Sequence, residues 1–153
     1  MSNNQQKQIG ADSSIQREIE SNIVAKIEME ENFKSVKKKT IEGVAFEFDF
    51  YNEEKKIIGE IYAGIDDISS GSIKKVITDC FKMVYAEKLL GYPCEKRLIF
   101  IDTKIQKTFD GNSWASKAID SYGIKIKVEE ISEEDKSKLR ITKKLQQYCN
   151  RKQ

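Results

Sequence analysis

Ile15, Ile19, Ile23 and Ile27 recur at every fourth position, a spacing that stacks them along one side of an α-helix. Asp12, Ser13 and Ser14 precede them as candidate N-caps, and the helix is expected to end near Phe33. From Thr40 to Tyr51 the period becomes two. Phe46, Phe48 and Phe50 alternate with Glu47, Asp49 and Tyr51, which predicts a strand with its phenylalanines under a helix and Asp49 on the opposite face. A polar turn, residues 52–56, leads to a second strand, residues 57–63, in which Ile58, Glu60 and Tyr62 share one face. The two strands are expected to form a hairpin that brings Asp49 and Glu60 together away from the phenylalanines.

After a loop from Gly64 to Gly71, Ser72 is a cap for a helix with the apolar stripe Ile73, Val76, Ile77, Cys80, Phe81 and Val84, stopped at Gly91-Tyr92-Pro93. The run Leu98-Ile99-Phe100-Ile101 within residues 97–102 has the continuous apolar character of a strand covered on both faces. Residues 113–122 read as a short helix closed by Gly123. Ile124, Ile126 and Val128 then alternate with Lys125, Lys127 and Glu129, as in an edge strand guarded by lysines. A last helix runs from about Ser132 towards Cys149, and a further strand is open for residues 36–41. The element order predicts an α/β domain over residues 13–153, a mixed central β-sheet flanked by helices, behind a flexible N-terminal tail of residues 1–12.

Among 153 residues, 27 Lys and Arg face 25 Asp and Glu, a net charge of +2. Nucleic acid is therefore not held by bulk charge, and any contact with a polyanion is local. The chain has no histidine, which excludes Ser-His-Asp and Cys-His nucleophile pairs, His-ligated zinc and imidazole acid–base chemistry. Cys80, Cys94 and Cys149 are widely spaced and read as reduced thiols. With no signal-peptide pattern and no stretch near the length of a membrane span, a cytoplasmic protein without a membrane partner is expected.

The informative chemistry lies on the hairpin. A carboxylate near the end of one strand, facing a carboxylate in the middle of its partner, offers oxygen ligands to a hard divalent cation. Such an ion activates water and stabilises charge on a phosphate. With Asp49 on one strand, a short turn, and Glu60-Ile61-Tyr62 on the next, the sequence resembles the PD-(D/E)XK, or restriction-endonuclease-like, nuclease superfamily, whose pattern is Asp, a turn, then Glu-x-Lys. The resemblance spans residues 14–131 by element order and is confined to the hairpin at the level of residues. It implies a restriction-endonuclease-like fold, Mg2+ or Mn2+ held by Asp49 and Glu60, and hydrolysis of nucleic-acid phosphodiester bonds, DNA before RNA.

Tyr62 stands in the place of the motif lysine. In the superfamily that lysine lies beside the attacking water and the scissile phosphate, where a cation favours an anionic transition state; a phenol supplies no such charge. Lys82, on the flank of its helix with Asp79, is the first candidate for a relocated lysine, with Lys75 behind it. Glu47 is a further candidate oxygen ligand, and Glu18, ahead of Glu20, is the candidate helix glutamate. Lys74 and Lys75 occupy the first turn after Ser72, where amides attract phosphate. Trp114 reads as a core or docking anchor, and Lys143, Lys144, Arg151 and Lys152 as a solvated helix end. The leading function is a metal-dependent nuclease. The alternatives are a catalytically degenerate domain of the same fold that binds nucleic acid or protein without cleavage, and an interaction protein unrelated to nucleic acid. A homodimer is a further expected partner arrangement.

Overall fold

The computed structural model describes residues 3–152, with side chains from Ser14 onward. Its elements are helix α1 (Asn3–Glu31), strands β1 (Val36–Ile41), β2 (Val44–Asn52) and β3 (Ile57–Tyr62), helix α2 (Ser70–Leu90), strand β4 (Glu95–Phe100), helix α3 (Thr103–Gln106) with a 3₁₀ turn at Lys107–Phe109, helix α4 (Trp114–Ser121), strand β5 (Ile124–Val128) and helix α5 (Glu133–Arg151). The helix start differs from expectation. α1 begins at Asn3, ahead of the predicted caps, so helical backbone takes up residues 3–12 of the expected tail; Met1 and Ser2 lie outside the described residues.

The five strands form one sheet in the order β1-β2-β3-β4-β5. β1, β2 and β3 pair antiparallel, whereas β3–β4 and β4–β5 are parallel. The sheet is thus mixed, with helices on both faces, and the chain is α/β. Two cores result. Phe46, Phe48, Tyr51, Ile58, Leu98 and Phe100 pack with Val76, Cys80, Met83 and Ala86 of α2. On the other face Phe50, Ile57, Ile61 and Ile99 pack with Ile19, Ile23 and Ile27 of α1 and Leu139 of α5. The isoleucine stripe of α1 does what its spacing predicts.

The expected strand over residues 40–51 is broken by a turn at Glu42-Gly43, both at positive φ (49° and 78°). Such a two-residue turn matches the twist of a tight hairpin, and it places the lysine-rich Val36–Ile41 segment at the sheet edge. α2 also starts one residue-triplet earlier than expected: Ser69, not Ser72, is the cap, its side chain accepting the Ser72 N–H. Lys74 and Lys75 consequently lie beyond the first turn.

β4 carries two buried cations near its start. Arg97 is 3% exposed and forks onto Glu31 at the end of α1 with N–O distances of 2.6 and 2.7 Å, with Glu95 at 2.9 Å. Lys96 Nζ lies 2.6 Å from Glu87 of α2. Each cation ties one helix layer to the sheet, its buried charge matched by acids that reach partly into solvent. All three cysteines are free. Among the described residues no helix is long and apolar enough to cross a membrane.

Candidate functional site at the β2–β3 junction

An irregularity in β2 builds the site. Val36 pairs with Tyr51 and Lys38 with Glu47, so two steps along β1 span four along β2. The surplus residues form a bulge over Phe48–Phe50, which turns successive side chains to new faces. Phe46 and Phe48 consequently point towards α2, but Phe50 points towards α1. This corrects the expected phenylalanine face. Glu60 is corrected with it: flanked on its own face by Ile58 and Tyr62, it lies on the α2 side with Phe46 and Phe48, not opposite them.

Regular pairing between β2 and β3 covers only Phe50–Asn52 against Ile57–Gly59. Just beyond it, the Asp49 carboxylate replaces the missing ladder, Oδ2 accepting the Ile61 N–H at 2.6 Å. The junction is packed tightly. A Cβ on Gly59 would lie 1.9 Å from the Phe50 ring, so the ring of the cross-strand partner fills the space that glycine leaves.

Glu60 is 4% exposed. Burial, followed by the negative charge of Asp49, pushes its pKa up from 4.5 to about 9, although Lys82 pulls the other way. Lys82 Nζ lies 2.5 Å from Glu60 Oε1. That approach pairs the ammonium with the buried carboxyl oxygen. The Lys82 ammonium also donates to the Glu47 carbonyl at 2.7 Å, sits 3.5 Å from Asp79 and faces the Phe48 ring at 5.5 Å. Glu47 therefore contributes its backbone oxygen while its side chain is exposed. Lys75 bonds Asp79 at 3.2 Å; burial pulls its pKa down, but Asp79, Asp49 and Glu60 together raise it.

The helix glutamate at the site is Glu20, not Glu18. Glu20 is half-buried, and burial followed by the Asp49 charge raises its pKa from 4.5 to about 7, against the pull of Lys75, Lys37 and Arg17. Glu18 is exposed. Glu20 follows Ile19 of the buried stripe by one residue, which places it at the sheet margin. Asp79 was singled out by sequence only as a neighbour of Lys82, yet it contacts both Lys75 and Lys82.

Tyr62 does not join the carboxylates. Its ring stands edge-on to Phe100 at 6.2 Å and lies against Gly64, where a Cβ would meet it at 2.5 Å. It borders a groove of about 480 Å3 whose lining includes Gln16, Ser69, Ser72, Gln146 and Asn150. Lys143, read from sequence as part of a solvated helix end, is tied to the Ile65 carbonyl at 2.9 Å and to the Asp67 carboxylate. Trp114 is 74% exposed and is not a core residue.

The junction brings together three acids: Glu60, buried beside Lys82, Asp49, oriented by a backbone amide, and Glu20 of α1, within electrostatic reach of Asp49. Among the described residues no three acidic or thiol side chains are grouped closely enough to ligate one ion. Mg2+ commonly binds through only one or two carboxylates, with water and phosphate oxygens completing its shell. Asp49 and Glu60 are the two carboxylates that could contribute to such a shell. Comparison with protein-family models, curated proteins and solved structures gave no match for the chain.

Proposed function

We propose that the protein is a divalent-metal-dependent nuclease-like domain acting on nucleic-acid phosphodiester bonds, DNA in preference to RNA, on a restriction-endonuclease-like fold. The single observation that carries this reading is the Asp49–Glu60–Lys82 constellation where β2 and β3 separate. The order of a helix, three antiparallel strands, a helix and a parallel strand supports the fold assignment.

Asp49 and Glu60 would hold Mg2+ or Mn2+. The ion supplies Lewis-acid stabilisation of negative charge on a phosphoryl oxygen. Asp49 is fixed for its role by the Ile61 N–H. Lys82 brings the positive charge that Tyr62 lacks, delivered from α2 instead of from β3. Its ammonium, held by the Glu47 carbonyl and beside Glu60, is placed to meet a phosphate oxygen next to the carboxylates. Arg17, Lys37 and Lys75 act electrostatically on Glu20 at the same margin, a local basic rim that draws a polyanion despite the small net charge. The polar groove past Tyr62 offers hydroxyls and amides to a strand leaving the site.

The degenerate-binder reading is favoured by the engagement of Lys82 with Glu60 and the Glu47 carbonyl. In that case Lys82 would not be released to substrate. Incubation of single- and double-stranded DNA and of RNA with wild-type protein and Mn2+ or Mg2+, beside Asp49→Asn and Glu60→Gln, separates the two. Cleavage lost in both variants is the expected result. Metal-dependent binding without cleavage selects the degenerate domain.

A further inference from the structure

We infer that the chain forms a two-fold homodimer through an aromatic groove between α2 and α4, on the flank of α2 away from Lys82. The two helices do not pack closely on each other. Between them lies an apolar cavity of about 220 Å3, walled by Ile77, Phe81 and Val84 of α2 and by Trp114, Ala118 and Tyr122 along α4. The walls are regular ladders. Positions 77, 81 and 84 recur at helical spacing, as do 114, 118 and 122, so two ridges flank one furrow.

Large aromatic rings stand out from those ridges. Phe81 is 73%, Trp114 74% and Tyr122 61% exposed. Taking roughly 150–250 Å2 for each side chain, these rings alone present roughly 400 Å2 per copy, on the scale of roughly 300–600 Å2 for the largest, often functional, apolar patch of a monomer. Two copies would bury roughly 800 Å2 through the rings, and the furrow walls Ile77, Val84 and Ala118 add to this towards the approximately 1,200–2,000 Å2 of a stable specific interface.

A second copy is the occupant because the patch holds both halves of its own contact. A cavity of about 150 Å3 accommodates a benzene ring, so the larger furrow takes one of the protruding rings, and each copy offers both a ring and a furrow. Such self-complementarity is the requirement of an isologous two-fold interface. The exposed ions of α4, Lys117 and Asp120, are of opposite sign, so like patches do not repel through them.

The chain has a single tryptophan, and it lies in this patch. Sedimentation velocity and intrinsic fluorescence of the full chain, from about 1 to 200 μM, test the inference. A monomer–dimer equilibrium with Trp114 emission shifting to the blue as dimer forms is expected. Phe81→Glu should raise the dissociation constant at least roughly thirtyfold, as loss of a central aromatic contact does, and Tyr122→Lys should act alike. Far-UV circular dichroism controls for folding of both variants; were either unfolded, the concentration dependence of wild-type Trp114 emission would still decide. A protein that stays monomeric at the upper concentration overturns the inference. So does a dimer insensitive to both substitutions with Trp114 solvent-exposed, which would place the contact elsewhere, for example on the exposed Ile141, Leu145 and Tyr148 of α5.

Discussion

Glu60→Gln is expected to stabilise the metal-free protein at neutral and alkaline pH. The Glu60 side chain is 6% exposed, and its pKa is raised from 4.5 to about 9, first by burial and then by Asp49. Between those two pH values the folded chain keeps a proton that the unfolded chain has lost. Stability therefore falls as pH rises through the window, the reverse of the usual behaviour of a paired carboxylate. At about 1.4 kcal/mol per pH unit, the contribution lost by pH 7 is about 3 kcal/mol. Glutamine has the same shape and no charge, so it avoids this loss, but its amide matches the Lys82 contact less well than the carboxyl group does, while the ammonium keeps Asp79 and the Glu47 carbonyl. The expected net gain is roughly 1–2 kcal/mol at pH 7, larger towards pH 9 and absent near pH 5. For a chain of this size that corresponds to a rise of about 2–8 °C in Tm. Urea unfolding of both proteins in EDTA, at about pH 5, 7 and 8.5, reads the difference directly if the m-values agree. A Glu60→Gln protein less stable than wild type at the two higher pH values would refute the reasoning, because the Lys82 contact would then outweigh the cost of burying the carboxylate.

Mn2+ or Mg2+ should stabilise the wild-type protein by about 2.7 kcal/mol at a hundredfold excess over Kd, read as a rise in Tm that is larger at pH 8 than near pH 6 because the ion competes with the protons on Glu60 and Glu20; equal shifts in Asp49→Asn and Glu60→Gln would place the ion elsewhere. Lys82→Ala should lower cleavage by roughly a hundredfold, the size of one well-placed electrostatic contact, and Tyr62→Lys should not add a comparable gain, since that side chain packs against Phe100 and Gly64. Single-turnover rates of the two variants check this, and a large gain in Tyr62→Lys would show that α2 does not supply the cation. Gly59→Ala should destabilise by about 3 kcal/mol or more, measured by urea unfolding, because its Cβ would overlap the Phe50 ring; a neutral result would mean that the ring moves freely.

Period and punctuation made much of this fold legible. The isoleucine stripe of α1, the continuous apolar run of β4 and the lysine-guarded β5 all behave as their spacing requires. The hairpin pattern also singles out Asp49 and Glu60, and the flank of α2 singles out Lys82. What stayed hidden has one physical origin in the main: alternation assumes a regular strand, and a bulge breaks the assumption without leaving a glycine or proline to mark it. The bulge moved Phe50 to the other core and put Glu60 on the α2 side. The turn at Glu42-Gly43 was masked by the β-forming residues around it. Glu20 and Glu18 flank the same stripe symmetrically, and only the lateral placement of α1 over β2 distinguishes them. Phe81 and Trp114 are apolar yet exposed, which a pattern that equates apolar with buried cannot express.

The clamp between Arg97 and Glu31 acts at one end of a long rigid rod. Glu20 lies eleven residues back along α1, or roughly 16 Å at the helical rise, so the Arg97 fork pins one end of the rod while the buried Ile19, Ile23 and Ile27 seat the length that carries the site acid. A tilt of about 5° at the clamp would carry Glu20 through more than about 1 Å, on the scale of misplacement that costs about a hundredfold in catalysis. Arg97 is thereby an alignment device for a carboxylate it never touches. Any sequence change that loosens the fork, including Arg97→Lys with its single-point ammonium, detunes the α1 side of the junction while Asp49 and Glu60, held by the sheet itself, stay in place.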